Sequence, residues 1–465
     1  MEKTKEVKEE NELGTESIIK LMKKFAIPCI ISLVVSALYN IVDQIFIGQG
    51  VGYLGNAATN VVFPITVISM AFALMIGDGS SALLSLSLGR KDEETANKSI
   101  NNGIILVTII GILFLIFGLI FKPFLLKLFG VTENSYEYAN EYMFYITLGL
   151  PMYMITSTLN SMIRADGSPK YAMKAMLLGA IINTILDPIA IFILHMGVKG
   201  AALATIIGQF ASGIMAIMYI KKFKTVKVSK ETLKLDFKIV KKICMLGISS
   251  FITQMAITIV MIVSNNALGK YGKLSEFGSD IPLSAMGIVM KVNQIVTSVI
   301  IGIAVGSQPI IGFNYGAKNY ERVRKTYFTA IKIGLAVTGI GTIIFQFFPQ
   351  IIINLFGQEN ALYNEFAKMC FRVFLLLIMC NSVQIISSIF FQAIGKSIKS
   401  ALLSLSRQIL LLVPAMLILP IFFGVKGVLY AGPLSDIIAF SITLVFITIE
   451  MKKMKKLEME CKDNG

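Results

Sequence analysis

The sequence predicts an all-α integral membrane protein: twelve transmembrane helices in two six-helix lobes, related by a parallel internal repeat, with a central cavity between them. Three observations predict it. Hydrophobic residues make up 55% of the 465 and charged residues only 15%, with a mean hydropathy of +0.74. Uncharged stretches long enough to cross a bilayer recur along the whole chain. Short motifs reappear at one fixed offset, as a duplicated chain requires.

Ten uncharged runs have 18 or more residues: 25–42, 44–77, 99–121, 142–163, 200–220, 243–269, 292–317, 333–358, 373–395 and 408–425. Two more spans are implied at 171–195 and 427–451, where an Asp interrupts an apolar stretch. Hydrocarbon offers a backbone no hydrogen-bond partner, so spans must be helices or closed barrels. Barrel strands are about ten residues long and alternate in polarity. These runs are twice as long and apolar all round, so they predict helices.

The net charge of +15 is distributed unevenly. With a cytoplasmic N-terminus, the inside segments hold 32 Lys and Arg, and the outside loops hold 6: Lys122, Lys127, Lys199, Lys270, Lys273 and Lys426. That is the positive-inside pattern, with both termini cytoplasmic and the protein multi-pass in the membrane. The basic stretch 221–242 meets anionic lipid and is no nucleic-acid patch. Residues 1–17 have no apolar core or cleavage site, so no cleavable signal peptide is expected. The five Cys show no paired spacing, and neither a zinc motif nor a phosphate-binding loop is present. No enzyme activity and no cofactor are expected.

The repeat is visible in three pairs. Leu128–Asn134 matches Leu355–Asn360, Gly197–Gly200 matches Gly424–Gly427, and Gly89–Lys91 matches Gly316–Lys318. The step from Gly130 to Gly357 equals the steps from Gly197 to Gly424 and from Gly89 to Gly316. The chain then divides into a tail (1–17), a first lobe (18–222), a linker (223–236), a second lobe (237–451) and a tail (452–465). An even number of spans per lobe places the symmetry axis along the membrane normal. Rocking of one lobe against the other would give alternating access.

Ionisable groups in hydrocarbon are costly and usually face a cavity. Asp43 and Asp187 sit at comparable depth in spans 1 and 5. Pro188 frees a backbone carbonyl, and Asn183 shares a helix face with Asp187 at i,i+4. Carboxylate, amide and carbonyl are hard oxygen ligands suited to a proton or a small cation. Two buried carboxyl groups close together can load a proton and release it to a cationic cargo, which is the simplest antiport scheme. Asp78, Lys291, Gln254, Gln384 and Asp436 are candidates for a substrate cavity. Lys368 and Arg372 are expected to snorkel, and His195 to be interfacial.

These residues resemble the multidrug and toxic compound extrusion (MATE) family over about 20–455. The resemblance rests on Pro28 with Asp43 in span 1, Asn183–Pro188 in span 5, Gly200–Thr205 in span 6 and Gly306–Gly316 closing span 8. It looks closest to the DinF-like and MepA-like bacterial branch. The resemblance implies a V-shaped fold and a monomeric antiporter that exports small organic, cationic compounds against inward H+ or Na+. Carried onto this chain, it implies an ion site at Asp43, Asn183, Asp187 and Thr205, able to take Na+, and a bend in the first helix at Pro28. The NorM-like branch puts acids in spans 7 and 10, where this chain has the neutral Gln254, Asn381 and Gln384. Coupling is therefore expected in the first lobe. A lipid-linked saccharide flippase of the same superfamily is the alternative. Its cavity would be basic, as Lys291 and Arg372 favour and the acids do not. An intramembrane aspartyl protease would need Gly-x-Gly-Asp, but the first glycine is missing before Asp78. A passive channel predicts flux without gradient dependence.

Overall fold

The structure is a computed structural model that describes residues 11–228, 234–278, 280–356 and 361–463. Part of the N-terminal tail, 229–233 of the linker and Gly357–Asn360 of the second repeat motif lie outside the described residues. All regular elements among the described residues are helical. The first lobe follows a short α1 (Glu12–Thr15). It holds α2 (Ile18–Gly50), α3 (Tyr53–Gly89), α4 (Glu93–Ile120), a short α5 (Lys122–Leu128), α6 (Tyr136–Ala165), α7 (Pro169–Pro188) and α8 (Gly197–Met218). The second holds α9 (Phe237–Gly272), α10 (Asp280–Gly316), α11 (Tyr320–Phe347), α12 (Pro349–Phe356), α13 (Ala361–Met369), α14 (Ile378–Ala393), α15 (Ser397–Leu405), α16 (Val413–Phe423) and α17 (Val425–Asp463).

Twelve spans result. Ten of the described helices are long and apolar enough on their own, and α13 with α14 forms an eleventh, bent by 49°. The twelfth is α6. Its Thr, Asn and Ser side chains lower its hydropathy, and they are tolerated because α3, α4 and α8 surround it. Three spans carry a π-helical segment: Ile189–Ile193 after α7, Cys370–Phe374 between α13 and α14, and Ser406–Leu412 between α15 and α16. The first has a local cause. Pro188 has no N–H to continue the ladder, so the turn widens.

The duplication extends to backbone angles. Lys91 and Lys318 both adopt φ 60°, and Gly197 and Gly424 adopt φ 57° and 59°, so both pairs matched in sequence also match in conformation. Asp92 caps α4 by accepting from Thr95 N, and Asn319 caps α11 by accepting from Arg322 N, at the same offset.

The lobes meet at the end that carries both chain termini. Two crossings are so close that only glycine fits. A Cβ on Gly247 of α9 would stand 1.7 Å from the Met75 carbonyl oxygen of α3, and one on Gly79 of α3 would stand 2.1 Å from the Ile243 oxygen. Gly302 and Gly306 of α10 lie likewise against Ile30 and Ala26 of α2. Towards the opposite end the same helix faces carry exposed residues: Asn40 and Gln44 on α2, Gly287 and Gln294 on α10, and Met261 and Asn265 on α9. The cleft is closed at the termini-bearing end and open at the other.

Helix α2 belongs to both lobes. Its first turns bury Leu21, Met22 and Phe25 among Ile300, Ile303, Phe390 and other residues of the second lobe. Its later turns pack on α7 of the first lobe.

The segments expected as tails are structured where described. Leu13 is buried against the second lobe, and its carbonyl accepts from Asn314 (2.8 Å) and Arg322 (3.2 Å). The C-terminal stretch continues α17 as far as Asp463, with Met454 buried and Glu458 ion-paired to Arg324 at 2.6 Å. The described part of the linker is also pinned. Buried Asp166 accepts from the Lys224 and Thr225 N–H groups and the Tyr219 hydroxyl.

Candidate functional site

The four residues expected to form the ion site converge inside the first lobe, on α2, α7 and α8. Asn183 and Asp187 lie one turn apart on α7, and the Asn183 amide Nδ2 donates to Asp187 Oδ1 (3.3 Å) and to Thr205 Oγ1 of α8 (3.2 Å). Gly179 and Gly208 bring α7 and α8 close enough for this, each within van der Waals reach of the other's carbonyl. Asp43 approaches from α2, close enough for its carboxyl group to interact electrostatically with Asp187. Asp187 and Asn183 are buried, at 1% and 3% exposure. Asp43 Oδ1, Asn183 Oδ1 and Asp187 Oδ2 are buried oxygens with no hydrogen-bond partner among the described residues. They are oxygens of the kind that accept a proton or a small hard cation. No group of three or more His, Cys, Asp or Glu able to hold a metal occurs among the described residues.

Two further residues belong here that the sequence did not single out. Tyr39 and Tyr142 are within electrostatic range of both acids. Tyr39 was legible, since it precedes Asp43 by one turn. Tyr142 reaches the site from α6, and no sequence spacing announces it.

Pro28 lies within α2, which runs through it as one continuous helix. It stands where α2 leaves the second-lobe core, between buried Phe25 and the later turns that carry Asp43.

The five substrate-cavity candidates separate. Gln254 and Lys291 lie half-buried on the cleft-facing sides of α9 and α10. The other three do not line the cleft. Asp78 accepts from Ser161 of its own lobe and from Ser250 of the other, both at 2.8 Å, inside the closed end. Ser250 in turn receives Gln392 Nε2 at 3.0 Å. Gln384 is buried, and its amide donates to the Leu403 carbonyl, joining α14 to α15. Asp436 is buried in an ion pair with Arg407 Nε at 2.7 Å. Each was exposed to misreading for the same reason: sequence shows a polar residue in a span but not the partner that satisfies it. Arg407 itself escaped notice because it falls one residue before the uncharged run 408–425. Arg372 is exposed and bonds the Gln346 carbonyl at 3.1 Å, Lys368 is half-buried near the open end, and His195 is exposed.

Comparison with known proteins follows the same lines. A family model described as MatE matches residues 28–189 and 249–417. Multidrug export protein MepA of Staphylococcus haemolyticus (strain JCSC1435) is 25% identical over 420 residues, 89% of this chain and 90% of that protein. MepA of Staphylococcus aureus (strain N315) is 26% identical over the same shares. A crystal structure of MATE in complex with MaL6 superposes with a TM-score of 0.89 at 24% identity, covering 96% of this chain and 99% of that one. An outward-facing multidrug resistance MATE family transporter of the MOP superfamily gives 0.87 at 24% identity, covering 96% and 98%. At these identities the superpositions speak to the fold.

Proposed function

The chain belongs to the MatE family, and from that premise we propose that it is a secondary active exporter of small organic compounds, exchanging cargo for inward H+ or Na+ by alternating access. One observation carries the reading. The convergent acids Asp43 and Asp187 sit on α2 and α7, and α2 is the helix whose other half is buried in the opposite lobe. Loading or emptying the acid pair acts on a helix that both lobes share, so charge at the site is coupled to the angle between lobes. Pro28 lies between the two halves of that helix, where a missing ladder hydrogen bond makes bending least costly. With the basic segments cytoplasmic, the closed end faces inward and the cleft opens outward.

Energetics constrain the exchange. Expelling a monovalent cation against 100 mV costs about 2.3 kcal/mol, while one pH unit supplies about 1.4 kcal/mol per proton. One-for-one exchange of cation for proton runs on the chemical gradient alone.

The test is efflux of an organic cation from vesicles under separately imposed pH and sodium gradients. Efflux that follows one gradient in wild type and stops in Asp43→Asn and Asp187→Asn supports the reading. Wild-type flux indifferent to both gradients, or full coupling in both variants, overturns it.

A further inference from the structure

We propose that Lys291 is an anion-recognising subsite on the second-lobe wall of the cleft, and that the preferred cargo is an organic zwitterion: a cationic amphiphile that also carries a carboxylate or similar acidic group. The proposal deepens the exporter reading above and rests on it.

The orientation of Lys291 follows from the helix it is on. Gly302 and Gly306 of α10 press against α2 at the closed end, so their side of α10 faces the first lobe. Lys291 is eleven residues before Gly302, three turns and about 20°, so it points the same way at a level where the lobes have parted. Ser284, Gly287, Gln294 and Ser298 share that side within about 80° of Gly302 and give it a polar stripe inside a membrane span. The facing wall of α9 agrees. Asn265 lies five turns from Gly247, which faces the first lobe, and Asn265 and Gly287 line one open groove.

Three other second-lobe cations at the spans are held by acids. Arg407 has Asp436, and Lys396 and Lys399 share Glu450, each within ion-pairing distance. Lys291 has no ion pair among the described residues. An ammonium held in a membrane span without an acid is costly. A cargo anion would offset that cost with charge-assisted hydrogen bonds. The opposite lobe carries the acids. A ligand with a cationic end and an anionic end therefore meets potentials of opposite sign on the two sides of the cleft, from the enclosed acids on one and from Lys291 on the other, and a purely cationic one is repelled by the second.

The test compares two probes that differ in one group: rhodamine B, which has a free carboxylate, and its ethyl ester. Binding to purified protein in nanodiscs is read by fluorescence polarisation without any ion gradient. Wild type should prefer the acid. Lys291→Gln should weaken the acid by about tenfold and the ester by less than about twofold, Lys291→Arg should retain the preference, and Lys291→Glu should invert it. Salt titration of wild type is a second measurement that needs no variant, since added salt should weaken the acid and spare the ester. Equal changes for both dyes in Lys291→Gln, or equal salt dependence, would overturn the proposal and leave a lysine that merely snorkels. Because binding is measured without a gradient, this outcome is separable from failure of gradient-driven efflux.

Discussion

Asp43 and Asp187 reach one another across the interface of α2 and α7, although four further helices intervene between their own in the chain. The pair sits beside an amide, Asn183, whose one nitrogen serves both Asp187 and Thr205. Asparagine at either acid would place an NH2 where a carboxyl now lies and remove the exchangeable charge. Gradient-driven efflux in Asp43→Asn or Asp187→Asn should fall at least about tenfold. Asn183→Ala should weaken coupling less, because both carboxyl groups remain. Initial rates in vesicles with matched protein content check this.

Closure of the cleft depends on the absence of a side chain at Gly247. With the Met75 oxygen 1.7 Å from where a Cβ would stand, Gly247→Leu must push α9 from α3. Overpacking of this kind costs about 1–3 kcal/mol, and the cost falls on the state closed at the termini-bearing end. Spin labels on Glu94→Cys of α4 and Glu321→Cys of α11, in a background without native cysteines, should report a longer distance between lobes at that end. An unchanged distribution would mean that the contact does not hold the closure.

The duplicated cap offers an internal control for pH. Hydrogen bonds from the Thr95 side chain and backbone hold the Asp92 carboxyl below its ordinary range. A depressed acid stabilises the fold above its unfolded value of about 3.9, and that contribution is lost as pH falls through the folded value. Asp92→Ala should therefore cost about 1 kcal/mol at neutral pH and progressively less in acid. Asn319 makes the equivalent bond at the matching position of the second lobe without a titrating group, so the cost of Asn319→Ala should stay constant. Thermal unfolding of the two variants at pH 7 and pH 3.5 distinguishes them.

Charge and polarity made the spans legible, because membrane helices announce themselves by what they exclude. The repeat was legible because tight turns demand particular residues: Gly197 and Gly424 were matched as sequence and then shared a left-handed backbone. The acid pair was legible through Pro188, Asn183 and the depth of Asp43. Its tyrosine neighbour on α6 was not, because a contact between spans leaves no period in either. Asp78 and Asp436 illustrate the converse. Both are membrane acids, and only the fold reveals that Ser161, Ser250 and Arg407 already occupy them. The docking of Leu13 and Met454 left no comparable signal, since each is an apolar residue among charged neighbours.

The pair of Asp436 and Arg407 leads to a stability prediction with opposite outcomes for single and double variants. Asp436 is 3% exposed, and the Arg407 side chain is 12% exposed on the π-helical segment before α16. Removing one partner strands the other charge away from water, so Asp436→Leu should destabilise by about 3–5 kcal/mol. Arg407→Met alone should do the same, since it leaves the carboxylate uncompensated. Removing both leaves apolar side chains in an apolar lobe. Arg407→Met with Asp436→Leu should recover most of the loss and can exceed wild type, because neither charge then needs desolvation. Thermal unfolding in detergent, read as a double-mutant cycle, gives the coupling directly. Additive losses would mean that the two charges do not stabilise each other. If the double variant is stable and still exports under a gradient, the pair serves the packing of α15 to α17 and not the passage of cargo.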